Sequence, residues 1–428
     1  MSSVEDSSRP LKVLIVGAGF AGLTAAIECR KRGFDVILFE GNSSRRQLGD
    51  IISFGSNSGR IFRSWPGVEE KLDPKCHHSD GLDFRTYDDE FLCRQVWDAE
   101  AEWGKRFNGH RGEIHGVVWD HALSVGVDIR LSSKVQEYFE TDTEAGVVVN
   151  GEKIAGDVVL AGDGVRSLAR TIVLGFEDKP KSSGYAVYRA WMGTEKLKED
   201  PLTAWLADPN TDHHVGWLGP DVHFLVATLQ NGTAMSWVLT HKDEADVEES
   251  WSAPGYIEEA VKAIPNWAPI CHAIIRATPE DRLVDWKLVF RDPLPTWIGP
   301  KRRIALIGDA AHPFLPTSIQ GASQSMEDGV TAAVCLELAG KDNVPEAIRA
   351  YEKIRYPRVL ATQRTGVTNR DAWHKADFDY VRKNPESVKL PRLDWILNFD
   401  CEKHAYDVYK ETAESLKTDP DWKPNPVL

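Results

Sequence analysis

The 428-residue sequence predicts an α/β chain: a parallel-sheet domain assembled from separated stretches, an antiparallel sheet inserted into it, and a helical C-terminal segment. Three observations predict this. Residues 11–16 (LKVLIV) are a continuous apolar run, followed by GAGFAG, an alanine-rich stretch to Arg32, a stop at Gly33 and a second apolar run ending at Glu40. That order reads as strand, tight turn, helix, strand. VVLAGDG at 158–164 and RIALIGDA at 303–310 are two more short apolar runs, each ending in glycine and aspartate, as suits strands covered on both faces. Between them, GYAVYRAWM and HFLVATL are aromatic and alternating, the pattern of antiparallel sheet.

Taken in order, these elements assign residues 1–85, 110–178 and 286–375 to the discontinuous parallel-sheet domain. Residues 86–109 and 179–285 go to the inserted sheet, and 376–428 form the helical tail. Ahead of the tail, PEAIRAYEKIRYPRVLATQRTGV has the spacing of a long amphipathic helix.

Composition narrows the function classes. With 65 acidic against 51 basic residues the formal charge is -14, which repels a polyanion, so nucleic acid is not an expected partner. The six cysteines are scattered singly with no CxxC pair, which argues against a zinc site or redox dithiol and suits a reducing, cytoplasmic setting. Neighbouring histidines (His77 with His78, His213 with His214) do not present two ligands from one face, so no metal is expected. The run LKVLIVGAGFAGL is too short and glycine-broken for a signal segment or a membrane span.

Gly17, Gly19 and Gly22 form GxGxxG directly after a strand and before a helix, the context of a Rossmann-type dinucleotide site. The first glycine permits the turn, the second admits a pyrophosphate, and the third lets helix and strand pack closely. Glu40, at the end of the next strand, is placed to accept hydrogen bonds from a ribose. An acid there disfavours a 2′-phosphate, leaving FAD or NAD.

Three separated motifs decide between them: GAGFAG at 17–22, AGDGVRSLAR at 161–170 and IGDAAHPFLPTSIQGASQSMED at 307–328. In their order and spacing the chain resembles the class A flavin monooxygenases, the group of salicylate hydroxylase and para-hydroxybenzoate hydroxylase, and within it the fungal salicylate-hydroxylase-like enzymes. The resemblance implies the para-hydroxybenzoate hydroxylase fold, with a GR2-like Rossmann-type FAD domain. It places Asp309 on the FAD ribityl chain, and backbone N–H groups of Gln320, Gly321 and Ala322 at the flavin pyrimidine edge. It also places Asp163, with Gly164, near the pyrophosphate, and brings Arg111 up to the FAD. Three departures stand out. Gly49-Asp50-Ile51-Ile52 replaces a GAGI-like segment, Ile319 stands where relatives have a glycine before Gln-Gly, and Ala227-Thr228 replaces a Tyr-Pro pair.

No second GxGxxG offers NAD(P)H its own domain, and no WxWxIP-like segment of the flavin halogenases is present. The implied reaction is that of a single-component hydroxylase. NAD(P)H reduces the flavin transiently, O2 gives a C4a-hydroperoxide, and an electron-rich aromatic is hydroxylated or epoxidised, whether a phenol, an aromatic acid, or an indole- or polyketide-type metabolite. An FAD-dependent oxidase or reductase without oxygen transfer, or a noncatalytic FAD-fold binding protein, are the other readings, and monomer and homodimer are both open. Arg189 is the leading catalytic candidate, because strand alternation puts Val187, Arg189 and Trp191 on one face and Tyr188 and Ala190 on the other. It could hold a carboxylate or phenolate, or polarise an epoxide oxygen. Asp50 is the second candidate, as base or cation anchor. Trp191, Trp205, Trp217, Phe224 and Trp237 are the expected supply for an aromatic wall.

Overall fold

A computed structural model of the chain describes residues 9–45, 49–97, 100–243 and 254–427. Its centre is a five-stranded parallel sheet in the order Ile304–Leu306, Val158–Ala161, Lys12–Val16, Asp35–Phe39, Asp128–Arg130. The three inner strands are buried almost throughout, which is why their sequences run apolar without alternating. Helices Phe20–Lys31 and Gly321–Ala339 pack over this sheet in one continuous apolar core.

The second large sheet has seven strands, in the order Leu283–Phe290, Lys181–Gly193, Ala234–Lys242, Val222–Leu229, His214–Gly219, Gly81–Thr86, Phe91–Val96. It is antiparallel except between His214–Gly219 and Gly81–Thr86, which run parallel because they come from distant stretches with no hairpin joining them. The first and last expected boundaries of the insert therefore move. Gly81–Thr86 belongs to this sheet rather than to the parallel domain, with Leu82 and Phe84 packed against Trp373, and the last strand runs on to Phe290.

One face of the sheet carries Tyr188, Ala190, Met192, Trp217, Phe224 and Trp237 into an outer core beneath helices Ile257–Lys262 and Pro269–Ala277. The opposite face looks toward the parallel domain. The expected aromatic wall is thereby corrected. Trp217 and Phe224 are core residues of the far side, Trp237 packs in that core and also borders the space between the two sheets, Trp205 lies exposed against His213, and Trp191 packs edge-on to His110.

The amphipathic stretch is one helix, Val344–His374, with Pro357 inside it. Beyond it, helix Cys401–Thr418 returns to the parallel domain and buries Cys401, Tyr409, Ala413 and Leu416 in the same core. Among the described residues no helix is long and apolar enough to cross a membrane, and no cluster of metal-ligating side chains occurs.

Candidate active site

The glycine-rich turn shows the division of labour that GxGxxG implies. Gly17 has φ +90°, and a Cβ there would lie 2.3 Å from the carbonyl oxygen of Gly162. At Gly22 a Cβ would lie 1.9 Å from the carbonyl oxygen of Gly17. A Cβ on Gly19 would meet nothing within 4 Å, so this is the position open to a ligand. The Glu40 carboxylate ties down the turn, accepting from the Ala18 N–H at 3.0 Å and from Asn42 through its backbone N–H at 2.8 Å and its Nδ2 at 2.6 Å. A carboxylate has about four acceptor positions, so Glu40 retains acceptor capacity for a sugar hydroxyl.

Asp163 holds its own loop. Its Oδ2 accepts from the Tyr138 hydroxyl and the Leu168 N–H, both at 2.9 Å, while Oδ1 is buried with no hydrogen-bond partner. From the same motif the buried Arg170 donates to the carbonyl oxygens of Asp309 and Ala310, each at 2.7 Å, which locks the second motif to the third. Asp309 sits in a 3-10 turn whose Gly308 N–H donates to Asp328 at 2.8 Å. Burial pushes the Asp309 carboxyl above its ordinary value, opposed by the nearby positive charge of Arg111. Arg111 opens helix Arg111–Ser124, and burial pushes it down while Asp50 and Asp309 push back.

A cavity of about 500 Å³ lies between the two sheets. Gly19, Arg111, Asp309, Gly321 and Ala322 line it on the parallel-domain side; Asp50 and Arg189 line it as well, while Gly17, Gly22, Glu40 and Asp163 lie outside the lining. The two catalytic candidates are one ion pair, with Arg189 Nη1 donating to Asp50 Oδ2 at 2.9 Å. The Arg189 guanidinium also lies over Trp286 on the neighbouring strand, 4.7 Å from the ring centroid. The ring-bearing residues that do line the cavity include Phe54, Trp97, Trp286, Phe314 and Trp373.

Two groups of positioning residues escaped the sequence reading. The first is a buried charge lattice under helix Gly321–Ala339. Arg355 bridges Glu327 at 2.6 Å and Asp328 at 2.9 Å, His312 meets Asp328 at 2.5 Å, and Arg358 adds a second contact to Glu327 at 2.8 Å. Against the upward push of burial, Arg358 and Arg355 hold the Glu327 carboxyl low. Glu327 in turn accepts from Asn57 Nδ2, which also donates to Gln320, so the lattice reaches the loop before the helix. Two adjacent acids directly before the helical run GVTAAVCL were its signal. The second group is the segment around 390–397, whose Leu390, Pro391, Arg392 and Ile396 complete the cavity wall, with Arg358 donating to the carbonyl oxygens of Trp395 and Ile396.

The residues fit FAD. Gly19 leaves room for phosphate, Asp309 offers a half-buried acceptor at the cavity, Asp163 Oδ1 is a buried acceptor lacking a partner, and helix Gly321–Ala339 starts at the cavity with no side-chain cap. An uncapped helix N-terminus presents N–H groups to electron-rich atoms.

Comparison with known proteins agrees. The family described as FAD binding domain matches residues 10–365. An asperlicin C monooxygenase from Petromyces alliaceus is 36% identical over 437 residues, covering 99% of this chain and 93% of that protein. The crystal structure of CtdE in complex with FAD and a substrate superposes with a TM-score of 0.90 at 34% identity, covering 95% of this chain and 100% of that one. A salicylate hydroxylase substrate complex shares the fold, with a TM-score of 0.78 at 23% identity over 95% of this chain and 98% of that one. The chain belongs to the FAD binding domain family, among its FAD-dependent monooxygenases.

Proposed function

We propose that the protein is a single-component, NAD(P)H-consuming monooxygenase that inserts one oxygen atom of O2 into an electron-rich aromatic substrate of the multi-ring, indole- or polyketide-like kind. The balance is substrate, O2, NAD(P)H and one proton giving oxygenated product, NAD(P)+ and water. The observation that carries this reading is the Arg189–Asp50 pair, which joins the cavity face of the inserted sheet to the loop before strand Ile51–Phe54, beside the FAD-binding elements.

Bound FAD supplies the two-electron exchange with NAD(P)H and the activation of O2. Arg189 supplies a planar donor whose orientation is fixed at one edge by Asp50 and on one face by Trp286. Such a group holds a carboxylate or phenolate, or stabilises negative charge growing on oxygen as it is transferred. Asp50 keeps that guanidinium in place and serves as the nearest proton acceptor to it. The apolar wall from Leu390, Pro391 and Ile396 excludes water from the reacting face.

Cavity length favours the larger substrates. Arg189 and His214 lie on strands three steps apart in the sheet and both line the cavity, which at ordinary strand spacing separates them by about 14 Å. A single phenol ring spans less than half of that. The six cysteines are all buried and unpaired, which suits a reducing cytoplasm.

The test is to supply the FAD-loaded protein with NADPH or NADH, O2 and a panel of phenols, salicylates and multi-ring indoles, recording coenzyme consumed, product formed and peroxide released. Product matching coenzyme for a multi-ring member supports the proposal. Coenzyme consumption with peroxide as the sole oxygen product throughout would establish the oxidase reading instead.

A further inference from the structure

Ile319 follows the short 3-10 turn Pro316–Ser318 and stands two residues before helix Gly321–Ala339, in a left-handed conformation with φ 56° and ψ 22°. Seven other non-glycine residues among those described have positive φ, and all seven are polar; Ile319 alone is β-branched. The combination is strongly disfavoured, because in this conformation Cβ crowds the following carbonyl oxygen and branching leaves the side chain little room to turn away. Such strain persists where the surroundings over-determine the backbone. Here they do. The Ile319 N–H donates to the Pro316 carbonyl at 2.9 Å, Thr317 Oγ1 donates to the Gly366 carbonyl at 2.7 Å, and Asn369 Nδ2 donates to the Thr317 carbonyl at 3.1 Å.

Packing within the free protein does not account for an isoleucine at this point. Its side chain is 41% exposed and lies in none of the three buried apolar clusters, yet it borders the cavity between Phe314 and the N-terminus of the helix. Glycine would relieve the backbone.

We propose that Ile319 is a cofactor-contact residue: its branched side chain, carried on a strained backbone, covers the ring system of FAD lying along the helix N-terminus, so that apolar contact with the cofactor offsets strain borne in the free protein. This rests on the FAD site described above. It makes opposite demands on two measurements, which a residue of merely local structural use does not.

Apoproteins of the wild type, Ile319→Gly and Ile319→Val are compared by thermal melting and by equilibrium titration with FAD. Glycine enters the left-handed region freely, and this relief offsets its greater freedom in the unfolded chain, so the Ile319→Gly apoprotein should melt no lower than wild type. Its Kd for FAD should rise about 10-fold, the loss expected for one aliphatic contact. Ile319→Val keeps the branch and should stay near wild type in both. An unchanged Kd in the glycine variant, or an apoprotein that melts lower, overturns the inference while leaving the FAD site intact. A wild type that takes up no FAD overturns both.

Discussion

Replacing Arg189 with alanine separates its role in the reaction from its role in the fold. Arg189 is 8% exposed and its partner Asp50 has a side-chain exposure of 14%, so truncation strands a carboxylate in a largely dry wall. Breaking a fully buried pair costs about 3–5 kcal/mol. Both groups here border the cavity, where water entering the space left by the side chain can solvate Asp50, so the expected loss is nearer ~2 kcal/mol. For a chain of this size that lowers the melting temperature by a few degrees at most. FAD retention should be unchanged, because Asp309, Gly19 and the N-terminus of helix Gly321–Ala339 are untouched. Turnover of a coupled substrate should fall by roughly 100- to 1000-fold, as when one preorganised donor to developing negative charge is lost. The coenzyme still consumed should appear as hydrogen peroxide. Arg189→Lys should recover little, since an ammonium cannot reproduce a planar fork held between Asp50 and Trp286. Coupling and product yield equal to wild type in Arg189→Ala would refute the assignment and leave Arg189 as a wall residue.

Three further expectations follow from the same geometry. Asp309→Asn removes a carboxylate whose burial raises its pKa, so the apoprotein should be at least as stable as wild type at neutral pH while FAD binding weakens by ~1–3 kcal/mol; an unaltered titration curve would count against the ribityl role. Glu327→Gln leaves Arg355 and Arg358 without their shared counter-charge, and should lower stability by about 3–5 kcal/mol in urea melts; a loss below about 1 kcal/mol would show that the lattice is dispensable. His223 and His374 meet at 2.7 Å, and burial depresses their pKa values to about 3 and about 4. Their stabilisation is therefore complete above the unfolded histidine value of about 6.5 and is lost as the pH falls below it and through the folded values of about 4 and about 3. His374→Gln should shrink the difference in urea midpoint between pH 7 and pH 5, and an identical difference in the variant would dismiss the pair as the cause.

The parallel domain was legible because its signals are local. An apolar run buried on both faces, a turn that only glycine permits at Gly17, and an acid ending the next strand can each be read within a few residues. On the inserted sheet, alternation gave the right parity for Arg189 within its own strand but not for its neighbours. Arg189 pairs with Val238, Val238 with Leu225, and Leu225 with Gly216, so the cavity-facing sets avoid Phe224 and Trp217. Register between strands is set by tertiary pairing, and no periodicity within one strand reports it. The same holds for the ion pair of Asp50 and Arg189, separated by 139 residues, and for the return of the C-terminal segment to the cavity wall. Ile319 was visible as a departure from a motif, and its meaning needed the backbone angle.

The proposed reaction transfers one atom of O2 to an aromatic ring at the expense of NAD(P)H. The most direct measurement is mass spectrometry of the product formed by FAD-loaded protein from a multi-ring aromatic substrate under isotopically labelled O2, with NAD(P)H consumption followed in parallel. One labelled oxygen atom should appear in each product molecule for each NAD(P)H oxidised. Product whose added oxygen comes from water, or NAD(P)H oxidised with all of the label recovered as hydrogen peroxide, would contradict it.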